Sequence, residues 1–189
     1  MNLPNKLTVL RVLMIPAFVL LFLADTLPHN YLWAFVVFAA AALTDLLDGQ
    51  IARSRGLVTD FGKLMDPLAD KLLVMSAMLC FVPAGIVHVV PVIIILSREF
   101  LVTSIRLVAA SGGQVIAADI WGKAKTVAQM VWICFALLIQ WIAFSFRISG
   151  ETFANLGMVN YVLVGVVTLL TVFSGFNYVW NNRGLFSDM

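Results

Sequence analysis

The sequence predicts an all-α integral membrane protein: six transmembrane helices with an N-terminal amphipathic segment and both termini in the cytoplasm. Three observations carry this. Of the 189 residues, 62% are hydrophobic and only 12% charged, with a mean hydropathy of +1.01, about half the charge of an ordinary soluble domain. The apolar residues fall in unbroken runs of about 20, enough for a helix to cross the hydrocarbon layer, where barrel strands would alternate instead. The basic residues are one-sided: with the N-terminus inside, Lys6, Arg11, Arg53, Arg55, Lys63, Lys71, Arg98, Arg106, Lys123, Lys125 and Arg183 fall in or near the cytoplasmic half, and only Arg147 does not. A net charge of +2 is too small to suggest nucleic acid, whereas the basic rim favours anionic headgroups and phosphorylated ligands.

The spans run roughly over residues 6–24, 31–52, 62–82, 86–108, 121–144 and 157–180. Before the first, "NLPNKLTVLRV" sets Leu3, Leu7, Leu10 and Met14 at helical spacing, as in a segment lying in the cytoplasmic interface. "FLADTLPHN" is not a small-x-small cleavage site, so span one is a retained helix. Span two carries "AAAAL" at 39–43, small enough for another helix to approach closely, in the same chain or across a dimer. Spans two and three meet in the acidic hairpin considered below. Gly112 and Gly113 end span four, and Trp121 marks the interface where span five begins. Between them "AASGGQVIAADIWGK" forms either a flexible loop or a short surface helix. Cys80 and Cys134 lie in separate apolar spans and read as buried free thiols. The connections leave no room for a soluble module, so residues 1–189 form one domain.

Residues 44–71 hold five of the chain's ten carboxylates. Asp45 and Asp48 stand at i, i+3 near the cytoplasmic end of span two, and Asp66 and Asp70 at i, i+4 near the start of span three. At ~100° per residue each pair occupies one helix face, shared with Gly49, Ala52 and Arg53 on the first helix and with Gly62 on the second. Asp60, in the loop, reads as a solvated charge or a cap for helix three. A short loop makes the two helices antiparallel neighbours, so the four acids can converge, and they would repel unless a cation sat between them. Carboxylate ligation suits Mg²⁺, Mn²⁺ or Ca²⁺, and two such ions form the clamp used for displacement at phosphorus. Arg53 then reads as a phosphate contact, and Gly49 and Gly62 as room for a bulky ligand. The competing reading pairs the acids with Arg53, Arg55, Lys63 and Lys71 at a hairpin tip. Intramembrane ionisable groups are otherwise functional.

Written as a pattern, the stretch is D-x2-D-G-x2-A-R-x8-G-x3-D-x3-D, on Asp45, Asp48, Gly49, Ala52, Arg53, Gly62, Asp66 and Asp70. It resembles, without a departure, the signature of the CDP-alcohol phosphotransferase family of membrane enzymes. "NLPNKLTVLRVLMIP", "LMDPLADKLLV", "SREFLVTSIRLVAA" and "WGKAKT" are most similar to bacterial members that move a phosphatidyl group from CDP-diacylglycerol to sn-glycerol 3-phosphate. The resemblance implies two Mg²⁺ or Mn²⁺ ions on Asp45, Asp48, Asp66 and Asp70, with Asp70 also the general base. It implies a CDP-lipid site lined by Asn5, Thr8, Gly49, Arg53 and Gly62. It further implies a homodimer in the bacterial inner (cytoplasmic) membrane, among membrane lipids, with its active site facing the cytoplasm. The residues agree on one point independently: His29 and His88, the only histidines, fall on the other side, so a cytoplasmic base must be a carboxylate or a lysine.

A phosphorylated acceptor needs cations, and Arg98, Arg106, Lys123 and Lys125 enter spans four and five on the right side. Arg106 and Lys123 are the leading pair. Arg98 lies deeper and precedes Glu99, so an ion pair within the bundle is equally open. Other acceptors, inositol phosphate or serine, remain open too. So do a cation channel or transporter and a structural assembly protein, although no acids lead across to the far side.

Overall fold

The described residues form six helices, α1 (Leu3–Leu23), α2 (Asn30–Arg55), α3 (Asp60–Phe81), α4 (Val89–Ser111), α5 (Ile120–Phe146) and α6 (Gly150–Asn181), and no strand. The structure, a computed structural model, describes residues 3–55, 60–111, 116, 119–146 and 148–183, without the side chains of 3–7, 45–55, 60–64, 66, 67 and 70. Each helix overlaps one expected span. Of the stretch 109–123, left open between a flexible loop and a surface helix, residues 109–111 end α4 and 120–123 begin α5, while 112–115, 117 and 118 lie outside the described residues.

Two ends differ from expectation for local reasons. The N-terminal amphipathic stretch and span one are a single helix, α1, which runs without interruption from Leu3 and carries Pro16 in its interior. α6 begins at Gly150, ahead of the apolar run expected from 157. Ser149 caps it, its Oγ accepting the Thr152 backbone N–H at 3.3 Å, and Glu151 sits in the first turn, where the helix dipole favours an acid. Apolarity marks where a helix enters lipid, whereas a cap marks where it starts.

Contacts between helices fix their relative directions: Asn30 of α2 and Phe81 of α3 meet Phe22 of α1, Lys71 of α3 meets Thr103 of α4, Lys125 of α5 meets Glu99 of α4, and Arg106 of α4 meets Tyr178 of α6. The start of α1, end of α2, start of α3, end of α4, start of α5 and end of α6 therefore share one end of the bundle, called here the charged end. At the opposite, distal end α3 closes in a Schellman turn: Gly85 takes φ 70°, Ile86 N–H donates to Phe81 C=O at 3.0 Å and Gly85 N–H to Val82 C=O at 3.1 Å. Glycine is required there because an L side chain resists positive φ.

The core fills the distal half. Phe18, Phe38, Phe81, Leu73, Met78, Trp132, Ile133 and Leu137 are all within 1% of complete burial. Their rings meet edge-on or tilted, as Phe81 does with Trp132 at 5.8 Å and Phe18 with Phe38 at 5.9 Å. Ala41, from the small-residue run, packs inside this core, which answers part of the question that run raised. One polar tie crosses the core: Trp132 Nε1 donates to Asn160 Oδ1, and Asn160 Nδ2 to Ile86 C=O at 2.7 Å. Cys80 is buried, Cys134 half-buried, and both are free.

All six helices also present large apolar side chains outward, among them Leu20, Leu43, Leu79, Leu107, Phe144 and Leu169. α5 and α6 are each long and apolar enough to cross a membrane.

Candidate active site

The acidic motif is divided between two consecutive helices. Asp45, Asp48, Gly49 and Arg53 belong to α2, and Asp66, Asp70 and Gly62 to α3; Asp60 is the first residue of α3. The backbone is helical through both acid pairs, so each pair keeps the one-face placement that its spacing requires. The side chains of these residues, and of Asn5 on α1, lie outside the described residues. Among the described residues no cluster of three metal-ligating side chains occurs.

α1 packs against both acid-bearing helices. Thr8, assigned to the CDP-lipid site by resemblance, is 1% exposed, and Arg11, one turn on, is fully buried. Buried guanidinium needs anions or acceptors around it, because its desolvation is otherwise prohibitive. Arg11 entered the sequence reading only as a marker of the cytoplasmic side. Its spacing of three from Thr8 within an apolar helix was the signal that could have joined it to the site.

The four cations expected to hold an acceptor divide into two pairs. Arg106 and Lys123 are exposed at the charged end, Arg106 donating from Nε to the Tyr178 hydroxyl at 3.2 Å. Arg98 and Lys125 are enclosed, and both donate to Oε1 of Glu99: Arg98 Nη1 at 2.9 Å, and the Lys125 ammonium, 2% exposed. Arg98 Nη2 also donates to Ser174 Oγ of α6. The ion pair left open for Arg98 therefore exists in the bundle, and Lys125 shares its acid.

Lys71, next to Asp70, donates to Thr103 Oγ1, a tie between α3 and α4 on the half of the bundle that carries the acids. Both histidines lie at the distal end. His29 Nδ1 accepts from Trp141 Nε1 at 3.1 Å and lies 2.9 Å from Ser145 Oγ, while His88 Nδ1 accepts the Val90 N–H. Both thus sit at the opposite end of the bundle from the acid-bearing turns of α2 and α3.

The family profile described as CDP-alcohol phosphatidyltransferase matches residues 1–173. A Bacillus subtilis protein named CDP-diacylglycerol--glycerol-3-phosphate 3-phosphatidyltransferase is 39% identical over 96% of this chain and 95% of its own length. One of the same name from Pseudomonas fluorescens is 37% identical over 95% and 91%. A Mycobacterium tuberculosis protein named probable phosphatidylglycerophosphate synthase is 37% identical over 94% and 80%. With a profile match over most of its length and relatives this similar end to end, the chain belongs to the CDP-alcohol phosphatidyltransferase family.

Proposed function

We propose that this chain transfers the phosphatidyl group of CDP-diacylglycerol to sn-glycerol 3-phosphate, giving phosphatidylglycerol phosphate and CMP. The observation that carries the reading is its likeness, nearly end to end, to relatives bearing that activity in their names, with the acidic motif complete across α2 and α3. Six membrane crossings, cytoplasmic termini and a cytoplasmic-side active site belong to the same reading. Outward apolar side chains on all six helices and the one-sided cations support them.

An all-carboxylate donor set fits a hard dication. Asp45, Asp48, Asp66 and Asp70 would hold Mg²⁺ or Mn²⁺, two ions per site, which when bound supplies charge neutralisation at the diphosphate. Asn5, Thr8, Gly49 and Gly62 line the CDP site, and Arg11, buried beside Thr8 on the helix that meets both acidic helices, joins them. Asp70 takes the proton from the 1-hydroxyl of glycerol 3-phosphate. The resulting oxygen bonds to the phosphorus nearer the diacylglycerol. The bond from that phosphorus to the CMP oxygen breaks, its electron pair leaving with CMP, whose charge faces Arg53. Arg106 and Lys123, with Arg98 and Lys125 behind them, hold the acceptor's phosphate. The acyl tails remain in lipid throughout.

The test is CMP release by purified protein from CDP-diacylglycerol and Mg²⁺ or Mn²⁺, with glycerol 3-phosphate, inositol phosphate or serine added separately and Asp70→Asn as control. Release driven by glycerol 3-phosphate and lost in the variant is expected. Release with a different acceptor alone would overturn the substrate, and no release from folded protein would overturn the enzyme.

A further inference from the structure

Arg106 of α4 is an exposed cation with one edge held. Its Nε donates to the Tyr178 hydroxyl at 3.2 Å, and its Cζ stands 5.4 Å from the centre of the Tyr178 ring, so a hydrogen bond and a cation–π contact both restrain the guanidinium. Among the described residues nothing pairs with either Nη nitrogen, and no acid pairs with this arginine. The free edge is the fork that takes two phosphate oxygens at once.

Tyr178 is the rigid member of the pair. It is 3% exposed on α6, packed with Val102 and Ile105 of α4, and its carbonyl accepts from the Asn182 side chain at the end of the helix. A buried ring keeps one rotamer, whereas an exposed arginine samples many. The contact therefore restricts Arg106 before any ligand arrives.

The same stretch of α6 holds two other cation-bearing turns. One turn earlier, Arg98 Nη2 donates to Ser174 Oγ at 2.5 Å, and the arginine runs through a slot where a Cβ at Gly175 would lie 3.0 Å from Cγ. With Nη1 on Glu99, Arg98 is committed to the bundle in a way that Arg106 is not. One residue before Tyr178, Asn177 Nδ2 donates to Asp119 Oδ2 at 2.7 Å, and Asp119 C=O accepts the Lys123 N–H at 3.2 Å. Adjacent residues of α6 thus fix Arg106 and the turn of α5 that carries Lys123. The level is that of the acid-bearing turn of α3. Lys71 meets Thr103 of α4, and Arg106 stands three residues, about 4.5 Å, nearer the charged end, as residues 66–70 do on α3.

We infer that Tyr178 is a positioning residue for the acceptor: through its hydroxyl and ring it presets the Arg106 guanidinium, Nη edge unpaired, for the phosphate of a phosphate-monoester acceptor. The inference rests on the acceptor reading above, and the exposure of Arg106 leaves that phosphate an open approach. A preset fork loses less freedom on binding, so the gain falls on acceptor affinity and not on the lipid donor.

The experiment is steady-state CMP release in detergent micelles by the wild type, Tyr178→Phe, Arg106→Gln and the double variant, with KM and kcat measured for each substrate. Tyr178→Phe keeps the ring and removes only the hydroxyl, so the glycerol 3-phosphate KM rises about three- to tenfold while the CDP-diacylglycerol KM stays within about twofold. In the Arg106→Gln background the same substitution adds less than about twofold, because it acts through the guanidinium. An unchanged glycerol 3-phosphate KM in Tyr178→Phe, equal rises in both KM values, or an undiminished effect without Arg106 overturns the positioning role. If Tyr178→Phe does not fold, Tyr178→Met, which removes hydroxyl and ring alike and adapts to the space, decides by the same outcomes. The acceptor reading fails separately, through a wild type inactive with glycerol 3-phosphate or an Arg106→Gln variant whose glycerol 3-phosphate KM is unchanged.

Discussion

Trp132 Nε1 donates to Asn160 Oδ1 at 2.9 Å, joining α5 to α6 inside the apolar core, and the same amide reaches across to the Ile86 carbonyl. One neutral side chain thus satisfies a donor and an acceptor that have no water to turn to. The tie belongs to the distal half, with the turn that closes α3.

Asn160→Leu leaves both groups buried without their partner. It is expected to cost about 2–4 kcal/mol of stability, because each unmet group forfeits its solvation. Unfolding in mixed micelles measures the loss, and the CMP release rate per folded molecule is expected to match the wild type. A variant as stable as the wild type would mean that the tie contributes nothing net.

Gly175 and Gly157 make a matched pair on α6. A Cβ at Gly175 lies 3.0 Å from Arg98 Cγ, whereas one at Gly157 meets nothing within 4 Å. Gly175→Ala is expected to destabilise by about 1–3 kcal/mol through overpacking, and Gly157→Ala to stabilise by up to ~1 kcal/mol through helix propensity. Equal behaviour of the two variants would rule out the slot as the cause.

Arg11→Gln removes a fully buried charge from α1. With Arg11 at the CDP site, kcat/KM for CDP-diacylglycerol falls about 10–100-fold and Arg11→Lys regains part of it. If both variants keep wild-type kinetics once folded, Arg11 belongs to the scaffold alone.

Asp70→Asn is expected to lower kcat by about 10²–10⁴-fold, the range for loss of a general base. Chelation of divalent ions is expected to stop CMP release, and added Mg²⁺ or Mn²⁺ to restore it. Full activity after exhaustive chelation would exclude the proposed dication.

Much of the architecture was legible before any coordinates. Long apolar runs and one-sided cations sufficed for six helices, because membrane solvation forces each span to satisfy its own backbone. The start of α6 was not legible from hydropathy, since Ser149 and Glu151 begin a helix by capping and charge before the apolar run is reached. The acidic motif was readable because helical spacing is local: i, i+3 and i, i+4 fix a shared face whatever the rest of the chain does. The cations resisted for the opposite reason. Arg98 finds Ser174, 76 residues away, and Lys125 finds Glu99, 26 residues away, so neither pairing leaves a mark on its own helix. Arg11 was visible as a charge, but only tertiary packing reveals that it is buried.

The slot around Arg98 has a consequence for how this chain can vary. Positions 98 and 175 lie on different helices, yet a Cβ at 175 would press on the arginine, so that glycine matters most while the arginine is there. Their substitution energies should be non-additive, with Arg98→Ala relieving most of the cost of Gly175→Ala. A viable change at one of these two positions is therefore conditional on the residue at the other, a dependence carried between α4 and α6 by a single steric contact.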